Sequence, residues 1–268
     1  LKMGAKTASG TPVLVQILGG NPELMAQSAL SAVKAGATGI DINFGCPAPT
    51  VNKHDGGATL LKYPNRIREI VAAVRAALPK EISVSAKLRL GWDDPTTIIQ
   101  NANCAAEGGA SWITIHGRTK EQGYRPPAHW EPIGDVQRRL KIPVVANGDI
   151  WTIEDFRRCR EVTGCSHFML GRSALADPYL ALRVQAELNG KPLSREIDKV
   201  LASPREWQPI LSTFIDLCSV ESSRNNYALS RVKQWLNLAE HKQKQPWMHA
   251  VKRAPTLHDA MRIISSQQ

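Results

Sequence analysis

Six short β-rich segments alternating with amphipathic helical ones, and a change to helix alone after residue 190, predict an α/β fold: a parallel-stranded barrel followed by a small helical module. The length of 268 residues suits such a barrel with one extra unit, and the expected division is 1–188 and 196–268. Strands joined through helices must run parallel, because the crossover returns the chain to the same end of the sheet.

The candidate strands, in order, are Val13 to Leu18, Gly39 to Gly45, Ser83 to Leu90, Trp112 to Gly117, Pro143 to Asn147 and His167 to Gly171. Between them lie apolar-periodic stretches such as NPELMAQSALSAVKAGA and YPNRIREIVAAVRAAL. Both open with Pro near the first turn, where a missing N–H is harmless. Beyond the strands, NGKPLSRE has the composition of a linker, and Ser203-x-x-Glu206 is a capping box that starts the helical part.

One strand carries an anomaly. In SVSAKLRL the residues alternate strictly, so Val84, Ala86, Leu88 and Leu90 point one way while Ser83, Ser85, Lys87 and Arg89 point the other. With helices on one face of a parallel sheet, the second face is the barrel interior, where unpaired charge is costly. Gln16, Asn43, His116 and Asn147 repeat the pattern, each polar and near the C-terminal end of its strand. In a (β/α)8 barrel that end is the catalytic face, so these side chains would converge on one pocket. Singly, each reads as a satisfied core polar group; several in register point to a site.

Two glycine-bearing turns add a candidate anion site. NGDI (147–150) and LGRSAL (170–175) place Gly148 and Gly171 where backbone N–H groups can approach a phosphate, with Arg172 as a charged partner. Barrels commonly hold a phosphate after their last two strands. A phosphorylated cofactor is the natural occupant of such a pocket.

Charge and cysteine content bound the partners. The formal net charge is +10 with an isoelectric point near 9.6, which favours a polyanion such as nucleic acid. From residue 191 onward 12 Lys and Arg face 7 Asp and Glu, so half of the excess lies in under a third of the chain. The five cysteines are scattered without CxxC spacing, which indicates neither a disulfide framework nor a zinc site. No apolar run is long enough to cross a bilayer and no signal peptide is apparent. A monomeric cytoplasmic protein with no membrane or metal partner is expected.

The stretch DINFGCPAPTVNKHDGGATLL places Cys46 between a hydrophobic strand and a glycine-rich loop. NFGCPAPTV with GGATLL, KLRLGW, IHGRTKEQGY, VVANGDI and LGRSAL, in this order, together with SRVKQWLNL, resemble the tRNA-dihydrouridine synthases. The resemblance is closest to the bacterial C type, which acts at uridine 16, and it runs over nearly the whole chain. It implies a (β/α)8 barrel with a C-terminal helical domain, and an FMN that NADPH reduces. The reduced flavin passes a hydride to C6 of a tRNA uridine, and a loop cysteine gives the proton to C5. Cys46 matches that cysteine; a general acid is needed because C5 becomes carbanion-like as hydride arrives.

The resemblance assigns the remaining roles. Gln16 would meet the pyrimidine edge of the flavin, Lys87 its N1 and O2, and His116 both flavin and substrate. Asn147, Gly148, Asp149, Gly171 and Arg172 would hold the ribityl phosphate, although family members often carry Glu where Asp149 stands. Asn43, Arg89 and Tyr124 would read the flipped-out uracil. Arg231 and Lys233 of the helical part would contact tRNA phosphates. That family's barrel has eight strands and this chain supplies six, beginning near what would be the third. The chain therefore reads as N-terminally incomplete, with the first two strands and a flavin-packing Pro-Met loop expected outside it. Rival readings are a flavin barrel that reduces free pyrimidines, a tRNA-binding protein without catalysis, and a Schiff-base aldolase using Lys87.

Overall fold

The computed structural model describes residues 5–7, 9–194, 197–198, 200–221, 226–240 and 244–266. Its first part runs β1 (Val15–Ile17), α1 (Pro22–Lys34), β2 (Gly39–Asn43), α2 (Pro49–Lys53), α3 (Pro64–Ala77), β3 (Ser83–Arg89), α4 (Ile98–Glu107) and β4 (Trp112–His116). There follow α5 (Glu131–Arg139), β5 (Val144–Asn147), α6 (Ile153–Thr163), β6 (His167–Met169), α7 (Ser173–Ala176) and α8 (Leu180–Asn189). Four helices complete the order: α9 (Pro204–Glu221), α10 (Tyr227–Ala239), α11 (Pro246–Arg253) and α12 (Leu257–Ser266). All six strands are parallel and lie in one sheet in chain order, as successive units of a (β/α)8 barrel do. Each strand falls inside its sequence-predicted range.

The chain divides into two compact units, residues 1–149 with 157–169, and residues 150–156 with 170–268. In the first, one face of the sheet is apolar. Ile40, Ile42, Val84, Ala86, Leu88, Ile113 and Ile115 are fully buried, and each large aliphatic among them stabilises the fold by about 1.5–3 kcal/mol. Helix α3 buries Ile67, Ile70, Val71 and Val74, the 3–4 spacing of a single stripe, and packs between α1 and α4. Helix α1 begins where Asn21 Oδ1 accepts the Leu24 N–H at 2.9 Å, with Pro22 in the first turn.

The second unit is helical and its core is aromatic. Trp207 is fully buried and lies 6.2 Å from Trp235 and 6.1 Å from Trp247, ring centre to ring centre. Each indole N–H is satisfied: Trp207 donates to the Leu201 carbonyl, Trp235 to that of Leu175 and Trp247 to that of Ala202. The capping box forms as read, with the Ser203 N–H donating to Glu206 Oε2 at 2.9 Å and the Glu206 N–H to Ser203 Oγ at 3.4 Å. Helix α7 packs on α10, so the segment just after β6 groups with the helical unit.

Among the described residues no helix is long and apolar enough to cross a membrane, and no group of His, Cys, Asp and Glu could hold a metal. All five cysteines are free thiols.

Candidate active site at the strand ends

The register of the sheet sets polar side chains in rows. Gln16 pairs with Asp41 and Asp41 with Ser85; one step higher Asn43 pairs with Lys87; and near the strand ends Arg89, His116 and Asn147 stand side by side. Because successive residues alternate faces, all of these share the face opposite the apolar core.

The lower row is tied to the middle one by hydrogen bonds. Asp41 is buried and accepts from Gln16 Nε2 at 2.7 Å and from Ser85 Oγ at 2.6 Å. Gln16 Oε1 accepts from Asn43 Nδ2 at 2.8 Å, and Asn43 Oδ1 accepts the Gly45 N–H at 2.9 Å. Burial raises the Asp41 carboxyl above the usual range, against the opposing pull of the Ser85 and Gln16 bonds and the Lys87 charge.

The upper rows are cationic. The Lys87 ammonium reaches Asn147 Oδ1 at 3.4 Å, while Asn147 Nδ2 donates to the Met169 carbonyl at 2.8 Å and so keeps its oxygen toward the lysine. Burial, helped by the charge of Arg89 and opposed by Asp41, lowers Lys87 to about 8. Arg89 is 2% exposed, and burial lowers its affinity for the proton too. Its guanidinium donates to the carbonyls of Gly45 at 2.8 Å, Thr119 at 3.1 Å and Gly123 at 2.8 Å. One buried cation thus joins the loop after β2 to the loop after β4.

Cys46 rides on that first loop. The glycine before it is held by its N–H to Asn43 and by its C=O to Arg89. The Cys46 carbonyl accepts the Ala58 N–H at 3.0 Å. Gly57 is required beside it: its φ is +60°, and a Cβ there would stand 2.8 Å from the Cys46 oxygen. The thiol itself is half-buried.

At the end of β4, His116 is buried and its Nε2 lies 3.2 Å from Arg118 Nη1. Arginine can only donate, so Nε2 accepts and the ring proton sits on Nδ1. Tyr124 is 56% exposed, with its ring 6.1 Å from that of His116 and 5.2 Å from the Arg89 guanidinium. Nearby, the ammonium groups of Lys62 and Lys120 stand 3.8 and 4.2 Å from the ring centre of Trp92, a basic aromatic rim.

The turn after β5 is locked. Gly148 has φ +125°, and its carbonyl accepts the Trp130 indole N–H at 2.8 Å. The Asp149 carboxylate pairs with Arg118, which is 1% exposed, and accepts the Ala128 N–H at 2.9 Å. A carboxylate engaged in this way steadies its loop; only the backbone N–H groups of the turn are of the right sign for a phosphate.

In the second unit, Arg172 opens α7 with its guanidinium 5.5 Å from the Trp151 ring. A Cβ on Gly171 would meet nothing within 4 Å. On α10, Arg231 is exposed and donates to Gln234 Oε1 at 2.7 Å, whereas Lys233 is half-buried and donates to the Ala254 carbonyl, just past α11, at 2.7 Å.

Sequence reasoning placed Gln16, Asn43, Lys87, Arg89, His116 and Asn147 on one face, and the structure gathers them there. It set Ser85 on that face without giving it a role, and it passed over Asp41 and Arg118. Asp41 and Ser85 carried a usable signal, since each lies two residues before a chosen residue and so faces the same way. Arg118 follows its strand, where periodicity no longer speaks.

A parallel sheet bearing amides, two cations and a thiol-carrying loop at its C-terminal end defines a barrel-type α/β protein. The dihydrouridine synthase family model matches residues 2–262, and the chain belongs to that family. It is 42% identical over 264 residues to the tRNA-dihydrouridine(16) synthase of Ralstonia nicotianae, covering 98% of this chain and 76% of the relative. The protein of the same name from Neisseria meningitidis serogroup B is 46% identical over 88% of this chain and 69% of its own length. That from Pseudomonas syringae pv. tomato is 47% identical over 88% and 72%.

Proposed function

We propose that this protein reduces a uridine of tRNA, at position 16, to 5,6-dihydrouridine, with FMN as its cofactor and NADPH as reductant. The observation that carries this reading is the tethering of the Cys46 loop to the two groups that face the same pocket, Asn43 and Arg89.

The residues present fit a flavin. Lys87 titrates near 8 because its charge is buried beside Arg89 with only Asp41 to oppose it. A bound group that gathers negative charge would relieve that imbalance. Gln16 offers an amide edge to a heterocycle, and the backbone of the Gly148 turn offers donors to a phosphate. FMN, when bound, supplies the hydride that is added to C6 of the uracil ring. Cys46 gives the proton to C5. Asn43, Arg89 and Tyr124 orient the base, which must leave its stack to reach the strand ends. His116 Nε2 faces the Arg118 guanidinium and so accepts rather than donates at that atom.

The RNA is held by charge. The rim of Lys62, Trp92 and Lys120 lies on the loops that frame the pocket, and the helical unit adds exposed cations such as Arg231.

The test is to incubate the purified protein with NADPH and an unmodified tRNA transcript, and to map dihydrouridine by mass spectrometry. The reading expects product at position 16 and a flavin absorbance that bleaches with NADPH. Binding of tRNA without flavin or product would establish a binding protein in its place. Turnover of free uracil or orotate at a rate above that of tRNA would establish a pyrimidine reductase.

A further inference from the structure

Asp41 lies beneath the proposed pocket, and none of the roles assigned so far uses it. Each of its oxygens accepts one side-chain hydrogen bond, Oδ1 from Ser85 at 2.6 Å and Oδ2 from Gln16 at 2.7 Å. From Gln16 a line of hydrogen bonds continues through Asn43 at 2.8 Å to the Gly45 N–H at 2.9 Å, one residue short of Cys46. The two ends of this line have fixed polarity. A carboxylate facing two donors can only accept, and a backbone N–H can only donate. The two carboxamides between them could each be turned over at little steric cost, yet only one arrangement satisfies every link. Gln16 must direct Nε2 toward Asp41, and Asn43 must direct Oδ1 toward Gly45.

We infer that Asp41 is a positioning residue, whose buried carboxylate sets the sense of the Gln16 and Asn43 amides and, through them, the start of the Cys46 loop. Gln16 then has one N–H and one lone pair left, on defined sides, and Asn43 likewise. A heterocycle whose edge alternates acceptor and donor in the matching sense meets both amides, and the reversed sense meets neither. Ser85, fully buried, holds the second carboxylate oxygen and keeps the group from rotating. The cost of burying Asp41, visible in its raised proton affinity, is what a chain accepts for a group with a directional task.

The flavin arm of the test rests on the reading of the pocket as an FMN site; the amide arm does not. The first measurement is hydrogen exchange of the Gln16 and Asn43 side-chain amides by NMR in ligand-free protein. Wild type should show protection of both. Asp41→Asn should keep it, because an asparagine oxygen can still accept from Gln16 while the Ser85 hydroxyl turns to accept from its nitrogen. Asp41→Ala should lose it at both positions. In the second measurement, FMN affinity should fall about tenfold in Asp41→Ala, roughly the loss of one well-aligned hydrogen bond, and stay within about threefold in Asp41→Asn.

Should Asp41→Ala not fold, Gln16→Ala decides: it removes the middle link, leaves Asp41 and Ser85 in place, and should release the Asn43 amide. Unchanged protection of Asn43 in either variant overturns the inference, as does an Asp41→Asn protein as impaired as Asp41→Ala. Failure of every variant, wild type included, to bind FMN, with the protection pattern intact, would instead sink the flavin reading and leave the positioning role standing.

Discussion

Beside their buried aliphatic side chains, the two compact units differ in what else they gather in their interiors. On the polar face of the first, and just past its strand ends, Asp41, Ser85, Arg89, His116 and Arg118 are all buried and polar, and each is hydrogen-bonded. In the second, the core gathers Trp207, Trp247, Leu211, Val232, Leu236, Met248 and Val251, and its indole N–H groups end on backbone carbonyls. A buried polar group costs desolvation that only good partners offset, while a buried aromatic stabilises outright. The first unit therefore carries its desolvation cost on the sheet face that holds the candidate site, and the second draws its stability from an aromatic core.

The sharpest way to break the first side of this contrast is Arg89→Ala. It would strip three carbonyls of their donor and free the loops that carry Cys46 and Tyr124, so dihydrouridine formation should fall at least about 100-fold, the usual cost of a misplacement near 1 Å. Steady-state turnover on a tRNA transcript checks this, and Arg89→Lys should not rescue it, since one ammonium cannot reach all three acceptors.

The second side breaks at Trp207→Ala, which should destabilise the helical unit by about 3–5 kcal/mol. Chemical denaturation followed by tryptophan fluorescence reads the loss. A change under about 1 kcal/mol would mean that the aromatic cluster is not the core it looks to be.

Lys87 sharpens the contrast through pH. Its folded value is about 8 against an ordinary 10.5, so between those values the unfolded chain holds a proton that the folded chain has released. Stability should rise with pH across that window, with the burial cost fully present below about 8. Lys87→Met should remove the rise, as denaturant midpoints at several pH values would show. Any step that needs the Lys87 charge should weaken as pH passes about 8 in the ligand-free protein, and at higher pH once a negative group binds beside it.

The smallest expected effect is on the RNA grip. Each duplex phosphate neutralised contributes about 0.9 log units of affinity per log unit of salt. Arg231→Ala with Lys233→Ala should flatten the slope of tRNA affinity by about one such contact, because Lys233 already gives one N–H to the Ala254 carbonyl. A slope equal to wild type would shift the grip to the rim of Lys62, Trp92 and Lys120.

How much of this was legible in the sequence follows from which signals are periodic. The six strands and the capping box were readable because β-branched runs, glycines and Ser203-x-x-Glu206 are local signals. Lys87 and Arg89 stood out because a period of two forced their charges inward. The links between elements were not readable: nothing in HGRTKEQGY says that Thr119 and Gly123 will accept from Arg89, or that Arg118 will lock Asp149. Such contacts depend on loop conformations that only the assembled sheet imposes. The polarity of the Asp41 line was hidden for the same reason, since Gln16, Asp41 and Ser85 meet only through the register of three strands.

The central claim is that Cys46 is the proton donor in a tRNA-uridine reductase, and Cys46→Ala tests it most directly. With NADPH and an unmodified transcript, the variant should still bind FMN and tRNA, and its flavin should still be reduced. Dihydrouridine at position 16 should fall by roughly 10²–10⁴-fold, the range a general acid contributes. Product formed by Cys46→Ala at near wild-type rate, with flavin content unchanged, would contradict the account.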